Sequence, residues 1–590
     1  MWGPSGVKLT HFEGDEHRPV VVAGNAGASL EAWIEDPGTG GRDLLIGGLT
    51  ATGVASGYAV VAAGIGPYIT FDVETDGAGG ALVACQDWQS GSNTSAILVQ
   101  RYSAAAVPQW TPGGVLVSDP NAYGYSPHIV SDGSGGAIVV WTDGYSLIGQ
   151  RLDATGAPQW NPAGLALGSG NGVYLDGVIP GGSNGAILFW EATFEVTPGA
   201  FAPLALAQRI DGTGAPQWSP SGVRLSTNDG GQYYIVAVPD GASGAIFAWD
   251  DYRVAVDRIL AQRITAAGDV ASGWDPAGVA FGVPSAYQFT PVIAPDGVGG
   301  AIVAWQDYRG DDADVYAQRL NGNGASQWAP AGVAVSTAAG PQYTQAIIRM
   351  ARRERSWVGP TDRDRTGTSR AQRLDSNGSS LWIADGPTFD AASGMQANLS
   401  LASDGSSGVI AAWQDNRDRL NDRVRSQRLF SNGGPAWGAG GITATQASLV
   451  AADALPDRVR IRWWTPAAGA SFDAERRQAD QAWRSVATLN ADGAGWIVLE
   501  DTDVSAGETY DYRLVVHQAS GDQPLGDVRV TMPRALAFAL DGVRGRTRRS
   551  GPSMCRSRWR AADQRHSQSS TSPGAASSSG GSTSNRAHIA

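Results

Sequence analysis

At 590 residues the chain is too long for one ordinary domain, and its 42% hydrophobic content is enough to pack a core. A net charge of −13 excludes a nucleic-acid face built on excess Lys and Arg. With 79 Gly, 21 Trp and only 17% charged residues, the composition points to many short strands joined by tight turns. The two cysteines, Cys85 and Cys555, sit in no CxxC or Cys/His cluster, so zinc has no visible ligand set and no cofactor is expected. No apolar run approaches the ~20 residues of a membrane span.

The chain opens without a signal peptide. Met1–Thr10 (MWGPSGVKLT) instead matches the end of a later unit, Trp218–Thr227 (WSPSGVRLST). The expectation is a start placed too late, with an export signal and further repeat upstream. As a surplus fourth strand, residues 1–10 either pair with the last unit and close a ring or are the remnant of a lost unit.

Between residues 1 and 446 one phrase recurs. Asp296–Arg309 reads DGVGGAIVAWQDYR, with copies at Asp132–Asp143, Asp240–Asp251 and Asp404–Asp415 and looser ones ending at Trp33 and Trp190. In another copy Cys85 stands where the Trp belongs, which predicts a buried thiol acting as a small hydrophobe. Eight units are counted, around Trp33, Cys85, Trp141, Trp190, Trp249, Trp305, Pro360 and Trp413. Spacing runs from 49 residues (Trp141 to Trp190) to 59 (Trp190 to Trp249).

The best unit predicts four strands, near 291–294, 300–305, 315–320 and 333–336, with Asp296-Gly297 and Asn321–Gly324 as turns. The second strand is apolar on both faces, the mark of a strand covered on both sides. The third carries Gln-Arg, as in Gln318-Arg319, and a second Trp follows, as in Trp328. One four-stranded sheet cannot cover two apolar faces of its own. Sheets packed face to face about an axis can, so the expected fold is all-β: a β-propeller of about eight four-stranded blades. Each core Trp buries ~150–250 Å², worth ~4–6 kcal/mol gross. An open stack of sheets is the alternative.

One unit is aberrant. At 349–360 the expected turn and strand give way to Arg349-Met350-Ala351-Arg352-Arg353-Glu354-Arg355-Ser356. GC-rich codons for this run, read two bases later, restore Asp-Gly-Ala-Ala-Gly-Ala-Ile, so compensating frameshifts are one reading and a basic insertion loop the other. An Arg-rich segment cannot be buried unpaired, so this blade is expected to be loose.

From 447 to 533 the repeat gives way to short alternating strands, at 459–463, 472–477, 483–487, 496–500 and 510–516, a β-sandwich pattern. The order of Trp463, Glu475-Arg476, Asp501–Val504 and Gly507–Arg513 resembles fibronectin type III domains, which implies an extracellular spacer or adhesion module. Residues 534–590 turn to Arg, Ser and Gly without period, a linker and disordered tail as written. Shifted codons for Gly545–Ser570, joined to Leu540–Arg544, yield a sequence similar to the immunoglobulin-like C-terminal domain related to the flagellar hook-capping protein, and to sorting domains of surface-exported bacterial proteins. On that reading Cys555 has no evolved role. The repeat region itself resembles uncharacterised propeller-like repeats of exported bacterial proteins.

No catalytic, cofactor-binding or metal residue is assigned. None of His11, His17, His128, His517, His566 and His588 lies in a zinc or nucleophile motif. Asp251-Tyr252-Arg253, Asp307-Tyr308-Arg309 and Asp415-Asn416-Arg417 invite comparison with sialidase propellers. They recur blade by blade, which favours Asp and Arg bracing a loop; Arg319 is expected to meet a carboxylate or carbonyl. Asp311-Asp312-Ala313-Asp314 reads as a solvated loop rather than a calcium site. The expectation is a secreted or cell-surface protein, monomeric, that binds an extracellular glycan or protein, with no catalytic activity of its own. The alternative is a glycan-processing enzyme, sialidase-like or another glycosidase. A unique pair of carboxylates converging in the central channel would favour the second, and repeated symmetric residues the first.

Overall fold

The computed structural model describes residues 7–533 except 10–14, 37–40, 67–68, 89–93, 254–255, 339, 341, 343–345, 350–354, 362–367, 388, 390–395, 406–407, 417–420, 432–447, 456, 465–470, 479–480, 492–495 and 519–520. The second strand of a repeat such as Ala301–Asp307 is buried along its whole length, so it needs a neighbour on each face. The chain supplies these with eight successive antiparallel sheets of propeller type, spanning 15–65, 71–116, 125–169, 171–224, 232–280, 288–336, 346–374 and 396–429 (sheets 1 to 8).

The first strand of each sheet touches the first strand of the next, and Gln396–Ser403 of sheet 8 touches Asp15–Ala23 of sheet 1. Val7–Lys8 pairs with the third strand of sheet 8, in register Val7↔Ser426, and becomes its fourth strand. The surplus N-terminal strand therefore joins the last sheet. The seam is polar as well: Val424 N–H donates to Glu16 Oε2 at 2.7 Å and Val21 N–H to Ser400 Oγ at 3.0 Å.

Trp33, Trp141, Trp190, Trp249, Trp305 and Trp413 are all fully buried between sheets. Cys85 pairs with Leu98 in the same place, and burial pushes its thiol up to about 12. The Trp–x–Asp spacing has a direct cause. Trp305 Nε1–H donates to Asp307 Oδ2 at 2.8 Å, and Arg309 Nε–H donates to Asp307 Oδ1 at 2.7 Å, so one carboxylate fixes the indole and braces the loop. Asp251 and Arg253 repeat the pair; Arg417 lies outside the described residues. Gly332, at φ +79°, lies against the far edge of the Trp305 indole, where a Cβ would meet the ring at 2.7 Å.

From sheet 3 to sheet 8, adjacent sheets are riveted at a single carbonyl; between sheets 2 and 3 the two donors use separate ones, Arg101 on Gly135 O and Trp110 on Ala154 O. Gly322 O of sheet 6 accepts from both Arg263 Nη1 (2.8 Å) and Trp274 Nε1 (3.0 Å) of sheet 5. Gly212 O and Ser376 O receive the corresponding pairs, Arg151 with Trp160 and Arg319 with Trp328. At the seam Arg428 reaches Ala51 O of sheet 1 at 3.2 Å. Each of these arginines also pairs with the turn aspartate of its own sheet, as Arg319 does with Asp296 at 2.8 Å. Burial would raise that carboxyl, but the Val298 and Gly300 amides and Arg319 hold it low.

The aberrant unit keeps its register. Arg355–Thr361 pairs with Ala346–Arg349 and Thr368–Leu374 to make sheet 7, three strands among the described residues. Gly359 faces Arg370 where Trp305 faces Tyr316, so Gly359 rather than Pro360 stands in the register of the repeated Trp. Most of the arginine run, 350–354, lies outside the described residues, as do Cys555 and the whole of 534–590 with the expected immunoglobulin-like domain.

Seven strands follow the repeats, two more than the sequence pattern marks: Ser448–Ala454 and Gly521–Thr531 are additional. They form one three-stranded and one four-stranded sheet, sharing a core of Ile461, Trp463, Phe472, Leu499, Tyr512 and Leu514. Arg476 is buried there against Asp501 and lies 5.0 Å from the Tyr510 ring centroid. Tyr510 OH accepts from Ser505 N–H at 3.0 Å, tying the strand to the loop before it.

Arg428→Met removes the guanidinium that pairs with buried Asp404 and reaches across the seam. It is expected to cost about 3–5 kcal/mol in denaturant unfolding, with part recovered in the Arg428→Met/Asp404→Asn double variant. A loss under about 1 kcal/mol would mean that the seam carries no load.

Candidate functional site

The inner strands share an irregularity. Each of five carries one non-glycine residue with positive φ where two residues bulge opposite the partner strand: Arg18, Ser126, Tyr234, Thr290 and Asn398, at φ 49° to 55°. Such residues cost of order 1–3 kcal/mol unless their surroundings fix them. In sheets 3, 5 and 6 the surroundings do so with the sheet before. Ser126 N–H donates to Thr70 Oγ1 at 3.1 Å, Tyr234 N–H to Glu191 Oε1 at 2.7 Å, and Thr290 N–H to Asp250 Oδ2 at 3.2 Å. All lie at the end of the ring where the second strands finish, which makes that rim the mouth of the channel.

The residue after the core Trp, or after Cys85, faces this rim. In sheets 1 to 6 and 8 it is Ile34, Gln86, Thr142, Glu191, Asp250, Gln306 and Gln414 in turn, so among these sheets 4 and 5 place a carboxylate there. Sheet 4 adds a third. Its inner strand bulges by one residue, Asp176, between Leu175↔Trp190 and Gly177↔Phe189. Ile235 N–H donates to Asp176 Oδ1 at 3.2 Å, next to the Tyr234 amide that holds Glu191. Two carboxylates therefore hang from adjacent amides of one strand. Asp176 Oδ2 and Asp250 Oδ1 are buried with no hydrogen-bond partner among the described residues, and Asp250 is only 1% exposed.

Burial pushes all three carboxyls up. Glu191 rises to about 7 and Asp250 to about 8, and Asp176 rises well above the carboxylate range, with the neighbouring charge of Glu191 adding to desolvation. Asp176 also lines a cavity of about 310 Å³ in the channel, among Ile235, Ala237, Ile293 and Ile347. A second cavity of about 370 Å³ lies on the side of sheets 1, 2, 7 and 8, lined by Arg18, Phe71, Ile348 and Asn398.

An aromatic array borders the same mouth. Tyr233 meets Tyr252 edge-on at 5.2 Å between centroids, Tyr252 meets Phe289 at 6.2 Å, and Phe289 meets Tyr308 edge-on at 5.6 Å and stacks on Tyr287 at 6.2 Å. Tyr174, Tyr234, Tyr252, Tyr287 and Tyr308 all remain exposed. The sequence reading missed Glu191 and Asp250 because they occupy a repeat position, where their acids were the signal, and Asp176 because it enters as a bulge. Arg253 and Arg309, compared above with sialidase arginines, are committed to their loop aspartates, and Arg309 also donates to Ala331 O. His128 lies 3.4 Å from Asp72, and His17 sits beside Asp422. Asp311 and Asp312 are exposed.

The raised carboxyls fix the sign of a pH effect. Their folded values lie above the unfolded carboxylate range near about 4, so the folded state holds protons that the unfolded state has lost. Stability should therefore fall as pH rises from about 5 to about 9, read as a falling thermal midpoint. Asp250→Asn removes one of the charges that form late, near about pH 8, and should flatten the upper part of the profile and raise the midpoint at its alkaline end. A midpoint that climbs with pH across this window would contradict the assignment.

No known family model matches the chain, and no curated protein matches it. Among solved structures, similarity is found to a protein of unknown function from Dyadobacter fermentans at 10% identity, covering 72% of this chain and 98% of that one, with a TM-score of 0.34. A puromycin-hydrolyzing peptidase of Mycobacterium tuberculosis is 12% identical over 68% of this chain and 58% of its own length, with a TM-score of 0.38. The Hadza microbial sialidase Hz136 is 12% identical over 71% of this chain and 68% of its own, with a TM-score of 0.31.

Proposed function

We propose that the chain is an exported or cell-surface protein whose propeller binds carbohydrate at the carboxylate-lined mouth of its channel. The observation that carries this reading is the exposed tyrosine array of sheets 4 to 6 beside Glu191 and Asp176. Sugar rings present apolar C–H faces and a girdle of hydroxyls. Tyrosine rings receive the first, and carboxylate and amide groups the second. The alternatives that the repeats suggest, bracing ion pairs and buried glutamines, are already used in holding the sheets together.

The sandwich at 448–531 supports the extracellular part of the reading. Its strand order, three strands against four, and the Tyr510–Ser505 contact fit the fibronectin type III resemblance, that of a spacer rather than a catalyst. Among the described residues no helix is long and apolar enough to cross a membrane.

A glycan array probed with the whole chain tests the reading. Binding to a defined set of neutral glycans is expected, weakened about tenfold by Tyr234→Ala or Tyr252→Ala, which is ~1.4 kcal/mol. Unaltered binding in both variants would move the site elsewhere, and an array with no bound glycan would end the proposal.

A further inference from the structure

We propose that Asp176 and Glu191 are an acid–base pair that hydrolyses the glycosidic bond of an uncharged sugar at this mouth. The inference rests on the carbohydrate reading above and adds to it a reaction and a substrate class.

The fold shows what a structural carboxylate looks like in this chain. Asp76, Asp132, Asp240, Asp296 and Asp404 each receive an arginine from the third strand of their own sheet. Asp176 and Glu191 depart from that pattern. Each accepts one backbone amide, and among the described residues neither is paired with a cation. Asp176 keeps a buried oxygen without a partner while lining the cavity, and Asp250 beside Glu191 keeps another. Buried acceptors left open cost free energy that packing does not return. A ligand hydroxyl is the kind of donor they lack.

Two carboxyl groups held together cannot both ionise readily, so near neutral pH the pair retains a proton that belongs to both. That is the composition glycoside hydrolysis needs. The carboxyl gives its proton to the glycosidic oxygen as the bond from that oxygen to the anomeric carbon breaks. The carboxylate takes a proton from the water whose oxygen bonds to the same carbon. One alcohol and one hemiacetal form, water is consumed, and the pair ends with the single proton it began with. The substrate is taken as uncharged because Arg253 and Arg309, the arginines beside the tyrosine array, are held by Asp251 and Asp307, and an anionic sugar would be brought against the carboxyls of Glu191 and Asp250.

The test uses the whole chain and a panel of neutral 4-nitrophenyl glycosides (pentosides, hexosides and N-acetylhexosaminides in both anomeric forms), with reducing-end release from neutral polysaccharides alongside. Hydrolysis of at least one substrate is expected, with a bell-shaped pH dependence. Asp176→Asn and Glu191→Gln should each lower its rate by at least ~100-fold while a single cooperative thermal unfolding transition and the far-UV circular dichroism of the wild type are kept, which shows that the variants fold. Wild-type binding with no hydrolysis anywhere in the panel would overturn this inference and leave the binding reading standing. Absence of both would remove both, and hydrolysis that survives in either variant would place the chemistry outside this pair.

Discussion

A backbone carbonyl that receives both an indole N–H and a guanidinium N–H from the sheet before it, as in sheets 4 to 8, is the contact on which the architecture turns. Gly322 O is the clearest case. The acceptor sits on a tight turn, and its neighbour Gly324, at φ +80°, lies flat against the Trp274 ring, where a Cβ would come within 3.0 Å. Hydrogen bonds to a charged donor are about twice as strong as neutral ones, and here each also fixes the spacing of two sheets. Neither sheet could bury its apolar second strand alone, so the rivet and the buried Trp depend on each other. At the seam the chain uses the same device, with Arg428 reaching Ala51 O and Val7–Lys8 completing sheet 8.

Repetition of that device leaves the mouth free to vary. The bulged inner strands present their positive-φ residues at one rim, and in sheets 3, 5 and 6 an acceptor from the preceding sheet holds them. Where the acceptor is Thr70, the result is a capped turn. Where it is Glu191 or Asp250, the same capping bond brings an acid into a poorly solvated place. The chemistry of the site is thus a local exception within a structural rule: at the position after the core Trp, sheets 4 and 5 carry an acid where the other described sheets carry Ile34, Gln86, Thr142, Gln306 and Gln414.

Much of the fold was legible in the sequence. The four strands read near 291–294, 300–305, 315–320 and 333–336 correspond to Gln288–Pro295, Ala301–Asp307, Asp314–Leu320 and Val333–Ser336. Periodicity and turn chemistry set these limits locally, and eight copies reinforced them. The partners of the Arg and Gln side chains were legible only in kind. Gln318 joins Ala329 O to the Trp328 amide, a pairing across 11 and 10 residues that spacing suggests and geometry decides. The site was not legible. Asp176 enters through a one-residue bulge with no sequence mark, and the meeting of Tyr233, Tyr252 and Phe289 needs two sheets brought face to face. The outer strands of the sandwich were missed for a similar reason, since Gly521–Thr531 has Pro524 and Gly526 within it and no clean alternation.

Native-state hydrogen exchange in a Val7→Asp variant tests most directly whether the sheets are one closed, mutually sheltering body. Val7 is buried against Ala402 and Ile410 in sheet 8, so an acid there weakens the seam alone. The account predicts that the slowest amides of Ile302–Trp305, across the ring, speed up by the same factor as those of Ile410–Trp413. Acceleration confined to sheet 8, with sheet 6 unchanged, would contradict it.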